Sequence, residues 1–318
     1  MPLIPSTYKA PVYLFNAHLE TVIPSVFRKV AGTYQRERLE LADGDFLDLD
    51  WMSRQQRKLV IISHGLEGSS ERHYTKGMAV HFFKHGWDAL AWNCRGCSGE
   101  INRLPRFYHH GATEDLAAVV DHALKKNYKQ IALVGFSMGG SMTLKYLGEQ
   151  TRPREIKSAI TYSVPCDLGS SASELDKPDK KFYLKRFLKK LEKKIRTKAN
   201  QFPTLLTAQG FETITSFLEF DTRYTAPLHG FADANDFYSR ASCYPYLPNI
   251  QIPALIVNAE NDPFLPRACY PTGLAQHHTH LHLEIPARGG HVGFSLAGKT
   301  NWMETRALEF AVHNQSII

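Results

Sequence analysis

Short strand-like stretches, several of them continuous apolar runs, recur along this chain at intervals long enough to hold a helix between them. Leu59–Ile62, Trp87–Trp92, Ile131–Val134, Ser158–Ser163, Ile252–Ala259 and Leu281–Ile285 predict strands. A run that is apolar at successive positions, rather than alternating, suits a strand covered on both faces. The intervening stretches predict helices over Tyr74–His85, Ser141–Leu147 and Trp302–Val312. Another opens at Thr113, read as its cap, with Leu116, Val119, Val120 and Leu124 on one face. Strand–helix alternation of this kind predicts an α/β fold, a mostly parallel central sheet with helices on both faces. Upstream, Arg36–Trp51 alternates in polarity and breaks at Ala42-Asp43-Gly44-Asp45, which predicts a hairpin. Residues 1–35 carry no long period and predict an irregular arm or short helices wrapped on the body.

The repeat fails between Val164 and Asn249, where proline, glycine and serine clusters alternate with a basic stretch and then aromatic segments. The expected organisation is therefore a first core part over 1–163, including the arm 1–35, a cap insertion over 164–249, and a second core part over 250–318. Within the insertion, Lys177–Lys198 holds nine lysines and two arginines against Asp179 and Glu192. Leu184, Phe187, Leu188, Leu191 and Ile195 fall on one stripe of it, the pattern of an amphipathic basic helix. Such a helix is expected to dock its apolar stripe and leave its lysines in water. Transient contact with an anionic membrane surface, or an acidic substrate, is the other use of the same charges.

Composition narrows the class. At 318 residues and 43% hydrophobic content, the chain can bury a full core. The net charge of +7 is accounted for by the basic stretch alone, and no recognition motif accompanies it, so no nucleic-acid partner is expected. There is no apolar run of spanning length, and Met1–Pro5 has neither the basic region nor the apolar core of a secretory signal. Five scattered cysteines predict reduced thiols and a cytoplasmic setting. Cys94 and Cys97 form a C-x-x-C without a second pair, so a glycine-rich loop is expected there rather than a metal or redox site. The histidines at 277, 278, 280 and 282 lack carboxylate or cysteine company and are expected at the surface; no metal and no cofactor is called for.

The candidate chemistry sits where strands end. Gly135-Phe136-Ser137-Met138-Gly139 follows a buried strand and precedes a helix, which fits the G-x-S-x-G turn that pushes a serine out of a crowded strand-to-helix corner. A serine hydroxyl is a poor nucleophile until an imidazole takes its proton, and the imidazole needs a carboxylate to fix its tautomer. Asp262 follows the Ile252–Ala259 strand, ahead of the rival Glu260, which lies in the strand's end. His291 follows the last strand, in the glycine-flanked Gly289-Gly290-His291-Val292-Gly293. Ser63-His64-Gly65-Leu66 ends another strand. There the Leu66 N–H, together with the Met138 N–H, is the expected pair of oxyanion donors, and His64 is expected to be structural.

Taken together, Asn16-Ala17-His18-Leu19-Glu20-Thr21, Ser63–Gly68, Asn93–Gly99, Gly135–Gly140, Asn261–Phe264 and Gly290–Phe294 resemble the YheT-like branch of the α/β-hydrolase superfamily over nearly the whole chain. The resemblance implies a charge-relay triad at Ser137, Asp262 and His291. It also implies activity as a carboxylesterase, a medium-chain phospholipase or an alcohol acyltransferase. Two positions depart from the branch: Cys94 stands where an aromatic is usual, and Asn261 where a second aspartate is common.

The expected function is a serine hydrolase of carboxylic esters with short- or medium-chain acyl groups, lipid esters included. An acyltransferase would use the same triad, and a membrane-surface binding protein would use Lys177–Lys198 instead. Five phenylalanines of the insertion, at 182, 187, 211, 217 and 220, either line the substrate groove or simply pack.

Overall fold

The computed structural model describes residues 3–298 and 300–314. Its strands are β1 (Leu3–Ile4), β2 (Gln35–Glu40), β3 (Phe46–Met52), β4 (Lys58–Ser63), β5 (Asp88–Asn93), β6 (Gln130–Phe136), β7 (Ile156–Tyr162), β8 (Ala254–Val257) and β9 (Leu281–Glu284). They form one sheet in the order β1-β9-β8-β7-β6-β4-β5-β3-β2. Only β2 with β3, and β3 with β5, run antiparallel; every other pair is parallel.

Helices cover both faces, as the continuous apolar runs require. Along β4, Leu59 and Ile61 face one core while Val60 and Ile62 face the other, and none of the four is more than 1% exposed. Helices α1 (Ala17–Phe27), α2 (His73–Lys84), α3 (Thr113–Leu124) and α4 (Met138–Glu149) precede the break in pattern. The side chains of α3 and α4 fill the first core, and those of α2 fill the second. At roughly 1.5–3 kcal/mol per buried large aliphatic side chain, these two layers supply most of the driving force for folding.

Between β7 and β8 lie α5 (Leu168–Leu175), α6 (Lys181–Gln201), α7 (Phe217–Phe220), α8 (Ala226–His229) and α9 (Ala234–Ala241); α10 (Thr272–His277) and α11 (Trp302–His313) follow β8 and β9. The β7–β8 segment has a core of its own around Leu184, Leu188, Ile195, Phe211, Phe220 and Tyr224. Phe211 and Phe220 thus simply pack, Phe182 is 49% exposed, and Phe187 and Phe217 border a cleft.

Two local expectations are corrected, those for Thr113 and for the α6 lysines, and the short-helix alternative for the arm is met. Thr113 does not cap α3: Ala112 holds that position, and the Thr113 hydroxyl, already inside the first turn, donates to Glu149 at the end of α4 (2.7 Å). The arm 1–35 contains an 11-residue helix, α1, with the Asn16 side chain accepting from the Leu19 amide. Its fully buried positions are Glu20 and Pro24 rather than large apolar residues, so no hydrophobic period announces it. The lysines of α6 are not all in water. Lys194 donates to Glu67 (2.6 Å), Lys190 to the Glu67 carbonyl (2.9 Å), and the fully buried Lys198 to the carbonyls of Asn102 and Leu104. Burial lowers the Lys198 pKa to about 8.

The Cys94–Gly99 loop is structural. Arg95, almost wholly buried, gathers Asp115 (2.7 Å), Asp43 (2.8 Å) and Asp45 (3.0 Å), tying the β2–β3 turn to α3. Among the described residues, no helix is long and apolar enough to cross a membrane.

Candidate active site

Ser137 follows β6 directly and has φ +52°, ψ −118°, a conformation that side-chain-bearing residues rarely adopt. It persists because its surroundings leave no alternative. The Ser137 amide donates to the Tyr162 carbonyl on β7 (2.8 Å), and α4 starts at the next residue. A Cβ on Gly139 would lie 2.4 Å from the Ser63 carbonyl oxygen, and one on Gly135 would lie 2.5 Å from the Gly139 carbonyl oxygen. Both glycines are therefore dictated by backbone meeting backbone.

Three loops converge on that serine. His291 Nε2 lies 3.0 Å from Ser137 Oγ, and His291 Nδ1 lies 3.0 Å from both carboxylate oxygens of Asp262. The Asp262 side chain is fully buried and also accepts from the Phe264 amide (2.9 Å). A carboxylate beside Nδ1 keeps the proton there, which leaves the Nε2 lone pair facing the serine hydroxyl. Phe264 stacks on the imidazole with centroids 4.0 Å apart, fixing the plane of the ring.

The fourth loop, after β4, packs against the serine so closely that a Cβ on Gly65 would stand 3.2 Å from Ser137 Cβ. Its amides are mostly committed: Gly65 N–H to Tyr74 Oη, Glu67 N–H to Tyr108 Oη, and Gly68 N–H to the Gly65 carbonyl. Among the described residues, neither the Leu66 nor the Met138 amide has a protein acceptor. His64 is fully buried away from the reacting atoms. The Cys94 amide donates to its Nε2 (3.1 Å), so Nδ1 carries the proton and donates to the Gly65 carbonyl (2.7 Å). It is a neutral brace for this loop.

The residues that hold the histidine loop were not legible from spacing. Glu20 is fully buried and accepts from Arg288 Nε (2.7 Å), Asn261 Nδ2 (2.8 Å) and the Gly289 amide (2.9 Å). Thr21 Oγ1 accepts from the His291 amide (2.9 Å) and donates to the Ala17 carbonyl (2.7 Å). Asn261 uses both ends of its amide, donating to Glu20 and accepting from the Gly290 N–H (3.1 Å). Ser163 accepts from the Val292 amide (2.8 Å). The sequence signal for Glu20 and Thr21 is the Asn16–Thr21 segment, one of those that carry the family resemblance.

The cleft over Ser137 has two lobes that share Leu66, Ser137, Phe187, Phe264 and His291. One is apolar, lined by Pro165, Leu168, Ala172, Leu175, Phe217 and Phe237. The buried carboxyl of Asp221 also borders it, held by Thr225 (2.5 Å) and Tyr238 (2.8 Å), with its pKa raised to about 6 by desolvation. The other lobe is mixed, with Thr21, Ser25, Arg72, Arg186 and Lys190 beside Val22, Tyr183 and Phe187.

Residues 58–297 match the model of the alpha/beta hydrolase fold family. The chain is 33% identical over 302 residues to "Putative esterase YheT" of Escherichia coli (strain K12), covering 92% of this chain and 88% of that one. It is 30% identical to "Phospholipase ABHD3" of Mus musculus, covering 92% and 74% of the two chains. Among solved structures, an esterase of Pyrococcus furiosus superposes with a TM-score of 0.59 at 18% identity, covering 90% of this chain and 98% of that one, which speaks to the fold. The chain therefore belongs to the α/β-hydrolase fold family, and within it to the YheT-like branch of ester hydrolases.

Proposed function

We propose that this protein cleaves carboxylic esters through an acyl-enzyme on Ser137. The observation that carries the reading is the unbroken relay Ser137 Oγ–His291 Nε2 and His291 Nδ1–Asp262, each link at 3.0 Å. As Oγ attacks the ester carbonyl carbon, its proton passes to Nε2, and Asp262 stabilises the imidazolium that forms. The amides of Leu66 and Met138 receive the tetrahedral oxyanion. The imidazolium then gives its proton to the departing alkoxide as the C–O bond breaks. Water, deprotonated by the same Nε2, attacks the acyl carbonyl carbon, and the imidazolium returns its proton to Ser137 Oγ as the C–Oγ bond breaks and the acid leaves.

The apolar lobe takes the acyl chain, which favours short- and medium-chain esters. Residues 164–249 act as a cap that shapes both lobes, since α5, α6 and α7 all contribute to their walls. Mutation of Ser137 to Ala is expected to abolish hydrolysis of p-nitrophenyl butyrate and labelling by a fluorophosphonate probe. Activity retained by Ser137→Ala, or probe on another residue, would sink the proposal.

A second, additional reading rests on the outer face of α6, where Lys181, Lys185 and Lys189 are exposed beside Phe182. Cations flanking an exposed aromatic ring suit transient contact with an anionic membrane surface. Co-sedimentation with phosphatidylglycerol vesicles should fall when these three lysines are changed to Gln. Unaltered co-sedimentation would remove the reading.

A further inference from the structure

The apolar lobe beside Ser137 is not the last open space beneath the β7–β8 segment. A second chamber lies against it and shares five of its lining residues: Leu66, His110, Phe217, Asp221 and Phe237. Ser137 and His291 border the near chamber and not the far one. Residues that line both cavities are the wall between them. The two chambers are equal in free volume, about 60 Å³ each.

The far chamber suits hydrocarbon. Phe107, Leu191, Phe220, Tyr224 and Leu228 line it beyond the wall. Its acids and its lysine have partners, Glu67 with Lys194 and Tyr108 Oη (2.6 Å each), and Asp221 with Thr225 and Tyr238. His109, His110 and His229 also border it, and burial keeps them neutral, lowering the pKa of His110 and of His229 to about 4. An entering chain therefore meets mostly rings and aliphatic groups.

The wall forms where two parts of the chain meet. His110 closes it from the loop before α3, and Phe217 and Asp221 close it from the β7–β8 segment. Helix α7, a turn of π-helix over Asp221–Thr225 and α8 follow one another without a gap. Along this stretch Phe217 and Asp221 stand in the wall, while Phe220, Tyr224 and Leu228 face the far chamber alone. Leu66 carries an oxyanion amide, Asp221 is fixed by its two hydrogen bonds, and Phe237 is packed against Leu168 and Ala241. Phe217, with its ring 6.1 Å from that of Phe187 in the near chamber, is the bulky wall group whose loss opens the partition most directly.

We infer that Phe217 sets the length of acyl chain this protein accepts: its ring stops the chain at the end of the near chamber and withholds the room behind. The inference rests on the acyl-enzyme reading at Ser137, with the acyl chain in the apolar lobe. Removing the ring joins the chambers and about doubles the space open to hydrocarbon. Each methylene newly buried there adds up to about fourfold to kcat/KM.

The test is the chain-length profile of kcat/KM on p-nitrophenyl esters from acetate to laurate, expressed per fluorophosphonate-labelled Ser137. The wild-type profile should peak within the series and then fall. Phe217→Ala should move the peak by about two carbons or more, and raise the rate on the ester two carbons past the wild-type peak by roughly tenfold. Phe217→Leu, a milder change in the packing, should move it the same way by less. Leu228→Ala enlarges the far chamber behind an intact wall and should leave the profile where it was. Adding Leu228→Trp to Phe217→Ala refills the far chamber and should bring the peak back towards the wild-type length. A peak that stays in place in both Phe217 variants, or an equal shift in Leu228→Ala, overturns the role of Phe217. Probe on a residue other than Ser137 marks failure of the acyl-enzyme reading instead.

Discussion

Glu20 and Asn261 are 241 positions apart in sequence and 2.8 Å apart in space, the carboxylate of one accepting from the side-chain amide of the other. An amide at position 261, where the family resemblance leads one to expect an aspartate, has a physical reason here. Its neighbour is a fully buried carboxylate, and an amide can donate to that acid while accepting from Gly290 N–H. An aspartate would place a second, half-buried acid against the buried Glu20. Asn261→Asp is expected to cost about 3 kcal/mol at pH 8, the scale of an uncompensated buried charge. One of the two carboxyls would have its folded pKa raised above its unfolded value, so the lost stability should return as pH falls towards 5. Urea denaturation at the two pH values checks this, and equal midpoints for variant and wild type at pH 8 would contradict it.

Thr21 acts through the backbone of His291, which makes it a positioning residue. Thr21→Val keeps the shape but leaves the His291 amide without its acceptor. At about 1–2 kcal/mol of misplacement in the transition state, kcat should fall roughly tenfold. Thr21→Ser should recover most of it. Steady-state kinetics on p-nitrophenyl butyrate decide the matter, and a Val variant with wild-type kcat would show that the bond is dispensable.

Asp221 predicts a pH dependence of stability. Desolvation raises its folded pKa to about 6 from an ordinary value of 3.8. A raised folded pKa means that the native state holds the proton more tightly. The contribution is present below about pH 4 and is lost as pH rises through 6, a change of order 3 kcal/mol. Asp221→Asn cannot titrate, so its stability relative to wild type should grow between pH 4.5 and pH 7.5. A difference that stays constant over that range would refute the assignment.

The glycines of the serine turn make a sharp comparison with one elsewhere. Gly139→Ala forces a methyl to 2.4 Å from the Ser63 carbonyl oxygen, a backbone atom that cannot swing aside. At least about 3 kcal/mol of strain is expected, with loss of the Ser137 geometry and of activity. Gly273→Ala, in α10 with no atom within 4 Å of the new methyl, should instead be neutral or stabilise by up to about 1 kcal/mol. Thermal melts and fluorophosphonate labelling of both variants provide the readout; an active, wild-type-stable Gly139→Ala would count against the account of the turn.

The parallel sheet and its order of strands and helices are legible because the central strands are buried on both faces, which writes near-continuous apolar runs in β4, β6 and β8. Ser137 and Asp262 stand out because each falls just past such a run and His291 because it follows the last strand in a glycine-flanked loop, and the structure brings all three together. Glu20 and Thr21 were illegible for the opposite reason. They work from a helix whose buried side is polar, where no hydrophobic period points inward, and their partners lie about 240 to 270 residues away. The amphipathic pattern of the basic helix is legible from spacing, whereas the burial of some of its lysines is not. Its hidden stripe includes Lys194 and Lys198, whose acceptors on the 67 and 102–104 loops no local pattern reveals.

The pairing of β1 with β9, and of Glu20 with Arg288, bears on how the chain is born. On a ribosome adding roughly 5–20 residues per second, the 268 residues separating Glu20 from Arg288 take about 13–54 s to emerge. Throughout that interval the first strand has no neighbour to pair with and the buried acid has no counter-ion. A nascent chain can complete the serine turn early, yet His291 has neither been made nor been given its Thr21 anchor. The proposed relay closes only once the segment carrying Arg288 and His291 has met the segment carrying Glu20 and Thr21, so hydrolytic competence waits on that late, long-range docking.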